Sequence, residues 1–183
     1  MSGLTEDDLM HALWTARDFL RAGRVKYMVI GALAVSIWGR PRATLDLDFQ
    51  VLADADGLER LRLSAPSQGF GIDESWMEWN PLLRGSQLRL VYGGIPVDIL
   101  LPRDEQDRQA LQRRRRKRLG AKLLWVASPE DLILQKLKVG RPRDFEDAST
   151  VIARQSRRID MAYMQSWARR LGIHQELAYI LTL

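Results

Sequence analysis

The sequence has no cysteine and only two histidines, His11 and His174, among 183 residues. Disulfides, thiolate metal sites and a Cys–His nucleophilic pair are thereby excluded, and a histidine-rich zinc centre has no ligands to draw on. Any metal must be held by oxygen donors, which points to magnesium or manganese. Long apolar runs are also missing. The longest, residues 27–39, is too short to cross a bilayer. The first ten residues, MSGLTEDDLM, are acidic where a signal peptide is basic. The expectation is a soluble, cytoplasmic protein with no membrane association. There is no internal repeat and no low-complexity linker, so the length predicts one domain, or a core domain with a small helical appendage.

What is present is an apolar content of 46%, enough for a sizeable core, and a net charge of +5 from 28 Lys and Arg against 23 Asp and Glu. Arginine dominates that excess, and such a surface tolerates or attracts phosphate polymers. Thr5 followed by three acids opens a helix, because threonine caps and the acids meet the positive end of the dipole. Residues 26–31 read as a buried strand ending at Gly31, and residues 32–38 as a short helix on the sheet. After a polar loop at 39–44, Leu45-Asp-Leu-Asp-Phe-Gln-Val51 alternates with the period of a strand. Residues 54–64 read as a helix. Residues 87–92 and 95–101 read as a hairpin about Gly93-Gly94. Residues 104–118 read as one charged helix, and residues 121–126 as a strand or extended link. Ser128-Pro129-Glu130-Asp131 starts a helix that stops at Gly140. Further helices are expected at about 144–155, 161–171 and 175–181. The predicted architecture is α/β (α+β): a small mixed sheet with flanking helices over residues 1–126, then a C-terminal helical bundle over 127–183 that closes a cleft.

The chemistry is expected at the acids. Asp46 and Asp48, two apart on one strand, project from one face, with Leu45, Leu47 and Phe49 on the core side. Two carboxylates so placed repel and raise each other's pKa, a cost that a divalent cation removes. Asp98 has the same setting, because Ile95, Val97 and Ile99 take the opposite face. If the two strands are neighbours, three carboxylates converge. Phosphoryl or nucleotidyl transfer needs such a cluster, with ions about 3.5–4 Å apart on the attacking and leaving oxygens. An isolated D-x-D is as often a solvated sheet face. A glycine at a strand-to-helix turn, Gly31, lets backbone N–H groups approach a phosphate.

In order, Val29-Ile-Gly-Ala32, Arg42-Ala-Thr-Leu-Asp-Leu-Asp48 and Val97-Asp-Ile99 resemble the DNA polymerase β-type nucleotidyltransferase superfamily. The R-x-T-x-D-x-D form within residues 39–49, and residues 128–148 (SPEDLILQKLKVGRPRDFEDA), are similar to minimal nucleotidyltransferases of the AbiE-type toxin group. The resemblance spans about residues 26–155. It implies transfer of a nucleoside monophosphate from a triphosphate, such as ATP, to an acceptor hydroxyl, with Mg2+ or Mn2+ on Asp46, Asp48 and Asp98. It implies a nucleotide-binding set of Gly31, Ala32, Arg42, Thr44, Lys136, Arg143, Asp144 and Asp147, with Lys136 on phosphate or nucleotide and Asp144 or Asp147 completing the site. Implied partners are the triphosphate, tRNA or other RNA, and a cognate antitoxin protein. The sequence departs from the family at Ala32, where glycine or serine is the rule. The N–H remains but a hydroxyl contact is lost. With the run Arg113–Arg118 (RRRRKR), suited to a nucleic-acid backbone or to a charged helix face, this leaves a second reading: a degenerate relative that binds RNA or protein. Trp76 and Trp79 read as an edge strand or loop packed over the sheet, and Trp14, Trp38, Trp125 and Trp167 as core or inter-helix residues.

Overall fold

The structure is a computed structural model that describes residues 4–183; Met1–Gly3, part of the acidic N-terminal stretch, lie outside the described residues. Helix α1 (Glu6–Ala22) begins on a reciprocal cap in which Thr5 accepts from the Asp8 N–H and Asp8 from the Thr5 N–H. Strand β1 (Lys26–Val29) follows, then α2 (Gly31–Trp38), β2 (Leu47–Leu52) and α3 (Ala55–Ser64). A two-residue strand β3 (Gly71–Ile72) and α4 (Glu74–Trp79) lead into the hairpin of β4 (Gln87–Tyr92) and β5 (Ile95–Leu100). Next come α5 (Glu105–Arg113), a second hairpin of β6 (Arg115–Leu119) and β7 (Lys122–Val126), and four helices: α6 (Pro129–Val139), α7 (Pro142–Gln155), α8 (Met161–Leu171) and α9 (His174–Ile180).

Among the described residues the strands form one mixed sheet in the order β3-β4-β5-β2-β1-β7-β6, parallel between β2 and β5 and between β1 and β7. One continuous apolar core joins the sheet to the C-terminal helices, from Leu13 and Phe49 through Leu132 to Trp167 and Ile180. Helix α6 lies over the face of β2 that bears Asp48 and Gln50, since the Gln135 Nε2–H donates to Gln50 Oε1 at 2.9 Å. That contact brings the C-terminal helices to the acids.

Three local expectations are corrected. Strand β2 starts at Leu47, so Leu45 sits in the preceding loop and is 71% exposed rather than in the core. The charged segment after Asp104 is not one helix: α5 ends at Arg113 and Arg115–Leu119 is the edge strand β6. Charge periodicity suggested a helix, but a turn with Gly120 at φ +56° folds the segment back on β7, and Arg114 and Arg116 lay their long side chains over Trp125. Trp76 and Trp79 lie on helix α4, capped by Asp73, instead of a strand or loop.

Candidate active site

Asp48 and Asp98 are direct partners across the parallel pair β2/β5, and Arg89 is the partner of Asp98 across β4/β5. In-register partners project to the same face, so Arg89, Asp98 and Asp48 form a row across three strands. Arg89 meets Asp98 in a two-pronged ion pair, Nε to Oδ1 at 2.7 Å and Nη2 to Oδ2 at 2.6 Å. Its guanidinium also covers the Trp76 ring at 4.2 Å. Asp46 comes just before the strand, where the Thr44 hydroxyl donates to its Oδ1 at 2.7 Å. Thus Thr44, expected at the nucleotide, first orients a carboxylate.

Asp48 is the electrostatic centre. Burial, then the charges of Asp46 and Asp98, push its pKa up to about 6, against a partial offset from Lys136 and Arg89. The repulsion anticipated from the D-x-D spacing is therefore present, with Asp98 adding to it. Gly31 makes room for this carboxylate. It has φ +62°, and a β-carbon there would fall 1.9 Å from Asp48 Oδ2. The first helical bond of α2 runs from Ala34 to Ile30, and among the described residues the N–H groups of Gly31, Ala32 and Leu33 meet no protein acceptor. They remain open to an anion at the positive end of the helix.

The downstream residues form an alternating charge network. The buried Lys136 Nζ lies 2.9 Å from Asp144 Oδ1 and 2.8 Å from Asp147 Oδ2. Asp147 also binds Arg42 at 3.1 and 3.2 Å, and Asp144 binds Arg141 at 2.8 Å. Burial alone would raise the Asp144 pKa, but the bonds from Arg141 and Lys136 outweigh it and hold it below the usual carboxylate value. Lys136 and Arg141 also act on Asp48 through space, which places the network beside the acids. Here Asp144 and Asp147 meet Lys136 with one oxygen each, which leaves one of its three N–H donors without a partner among the described residues. Arg143 is exposed and outside the network, with no ion pair among the described residues.

Arg89 was not anticipated; Trp76, expected to pack over the sheet, instead lies under its guanidinium. Arg89 was legible in principle: a two-residue turn at Gly93-Gly94 pairs Tyr92 with Ile95, and counting back sets residue 89 opposite 98. No group of three or more Asp, Glu or His lies in metal-holding geometry among the described residues. Asp98 accepts one bond from Arg89 on each oxygen, so Asp46 and Asp48 are the donors of the three without a cationic partner among the described residues. That pair fits magnesium, which is commonly bound through one or two carboxylates plus substrate phosphates and water.

This is the nucleotidyltransferase fold. The chain superposes on the antibiotic-resistance factor ANT(2'')-Ia with a TM-score of 0.61 and 9% identity, over 96% of this chain and 99% of that one. It superposes on an antigenic nucleotidyltransferase-like protein from Paracoccidioides brasiliensis with a TM-score of 0.57 and 17% identity, over 99% and 95%. For the lincosamide antibiotic adenylyltransferase LnuA, solved with lincomycin bound, the TM-score is 0.54 and the identity 15%, over 82% and 98%. The sequence matches no family model and no curated protein.

Proposed function

We propose that the protein is a nucleotidyltransferase that moves a nucleoside monophosphate from a nucleoside triphosphate, ATP among the candidates, to an acceptor hydroxyl of RNA or protein. One observation carries this reading: Asp48 is in register with Asp98, beside Asp46, against the glycine that opens α2. The acceptor oxygen bonds to the α-phosphorus, the bond to the bridging oxygen breaks, pyrophosphate leaves and the hydroxyl proton passes to solvent or a carboxylate. The open N–H groups of Gly31 and Ala32 bind phosphate oxygens. Asp46, held by Thr44, and Asp48 would hold Mg2+ or Mn2+, and the bound ion would offset phosphate charge and polarise the reacting oxygens. Lys136, held by Asp144 and Asp147, supplies positive potential and has a third N–H donor to offer to phosphate or nucleotide. Asp98 would join as a third ligand through its remaining lone pairs, in competition with Arg89, and Arg143 is exposed to meet the nucleotide from outside.

The similarity of residues 39–49 and 128–148 to the AbiE-type toxin group extends the proposal to a cytoplasmic toxin with a cognate antitoxin protein. The division at residue 126 into a catalytic core and a cleft-closing helical segment belongs to the same reading. The test is incubation with each α-labelled triphosphate, magnesium, total RNA and total protein. Label should appear on one acceptor class and vanish with Asp48→Asn. No label from any triphosphate would favour the second reading, a degenerate binding module, for which Ala32 and the engagement of Asp98 by Arg89 are the supporting features.

A further inference from the structure

The row of Arg89, Asp98 and Asp48 has a direction. Asp48 ends it against Gly31, where a β-carbon would fall 1.9 Å from the carboxylate. The N–H groups that open α2, without a protein acceptor among the described residues, belong to that end. Arg89 ends the row on β4, one strand beyond Asp98. Displacement at phosphorus brings the entering oxygen in line with the leaving one, from the opposite side. With pyrophosphate on the N–H groups of α2, the acceptor hydroxyl arrives over Asp98 and Arg89. A cation and an apolar surface stand there. The Arg89 side chain keeps 20% of its surface in solvent while it forks onto Asp98 at 2.7 and 2.6 Å. Its guanidinium lies on the half-buried Trp76 ring. On the helix that carries Trp76, Trp79 is one turn further on and 85% exposed, and Leu82, just past the helix, is 96% exposed. Single exposed apolar residues are ordinary, but two of this size on the element that flanks a charged pair of the site mark a contact surface.

We infer that Arg89 selects the acceptor by binding the carboxylate of an acidic residue beside the hydroxyl residue of a partner protein, whose apolar side chains lie on Trp79 and Leu82; this rests on the transfer reading above and names the acceptor within it. A guanidinium drawn off Asp98 without a new anion would be left partly buried and unpaired, at a cost. A carboxylate of the acceptor replaces Asp98 as the forked partner and returns the Asp98 oxygens to the cation and the reacting hydroxyl. The hydroxyl oxygen then bonds to the α-phosphorus, the bond to the bridging oxygen breaks, pyrophosphate leaves and the hydroxyl proton passes to solvent. A protein is favoured over a polynucleotide at this end of the row because residues 73–84 carry Asp73, Glu74 and Glu78 against Arg84. Of those acids only Glu74 is in an ion pair among the described residues, with Arg62 at 3.5 Å, and the remaining negative charge repels a chain of phosphates. A protein segment is favoured over a small hydroxy acid because Trp79 and Leu82 carry the apolar surface past Arg89, where a small molecule leaves them uncovered.

The test uses the full chain with magnesium, each α-labelled triphosphate and a positional-scanning library of short peptides centred on serine, threonine or tyrosine. Peptides with aspartate or glutamate beside the hydroxyl residue should take label at least about tenfold better than those with asparagine or glutamine, as a charge-assisted hydrogen bond implies. Arg89→Lys, which keeps the charge and loses the fork, should narrow that preference. The double variant Trp79→Ala, Leu82→Ser, at exposed positions where the fold is indifferent, should raise KM for all the peptides and keep the acid preference. A second arm needs no turnover: binding of the fluorescein-labelled acidic peptide pool, followed by anisotropy, should weaken in both variants. Label that ignores the neighbouring acid, an acid preference unchanged in Arg89→Lys, or binding that is absent or indifferent to both variants overturns the inference. Label on total RNA with none on the peptides also overturns it and leaves the transfer reading standing. Binding of the acidic pool that both variants weaken, with no label on any acceptor, sustains the surface and sinks only the transfer reading.

Discussion

Asp48→Asn should make the protein more stable at neutral pH. The Asp48 pKa rises from 3.8 to about 6, first through burial and then through Asp46 and Asp98. At about 1.4 kcal/mol per unit, roughly two units correspond to about 3 kcal/mol. The folded protein holds this proton more tightly than the unfolded chain, so the sign follows from linkage: the group's contribution is fully present below about pH 4, is lost as pH rises from about 4 to about 6, and is absent above that. Among the described residues the Asp48 carboxylate accepts no hydrogen bond from the protein, so asparagine removes the charge without removing a partner. Urea denaturation of both proteins at pH 7.5 should give the variant an advantage of up to about 3 kcal/mol, shrinking towards zero near pH 4. Taking the difference between the two proteins cancels the other titrating groups. Millimolar magnesium with a triphosphate should raise the Tm of the wild type and leave that of the variant unmoved. An advantage that does not change with pH, or a variant less stable at pH 7.5, would show that Asp48 is not held at an electrostatic cost.

Gly31→Ala places a β-carbon where Asp48 Oδ2 lies and forces a side chain onto φ +62°; a loss of about 1–3 kcal/mol in chemical denaturation is expected, together with loss of the nucleotide-induced rise in Tm. Arg89→Met leaves the Asp98 carboxylate buried without its partner; destabilisation of about 3 kcal/mol at pH 7 is expected, while electron paramagnetic resonance should show tighter Mn2+ binding because Asp98 becomes available. Unchanged Mn2+ affinity would mean that Asp98 never joins the cation site. Lys136→Met uncouples Asp144 from Asp147 and should cost about 3–5 kcal/mol, with the loss reduced in the triple variant Lys136→Met, Asp144→Asn, Asp147→Asn, as equilibrium denaturation will report.

Much of the site was legible because it is written in short-range patterns. The D-x-D spacing, the hydrophobic alternation around Asp98 and the glycine before α2 are local, and the helix caps at Thr5, Asp54 and Ser128 are as the side chains dictate. Where expectation and structure part, a distant partner intervened. Arg115–Leu119 is a strand because β7 is there to pair with it, although its composition suits a helix face. Leu45 alternates in phase with Leu47 and Phe49 yet lies in the loop that bends towards Ser36 and Thr44.

By itself the sequence determined which residues could carry charge chemistry and on which elements they lie, because helix caps, strand alternation and glycine turns depend only on neighbours a few positions away. Tertiary structure decided which of those charges face one another. Asp98 is bound by Arg89 across a hairpin, and Lys136 is shared by Asp144 and Asp147 across α6 and α7. Coulomb interactions depend on distance in space, and strand order and helix packing set that distance.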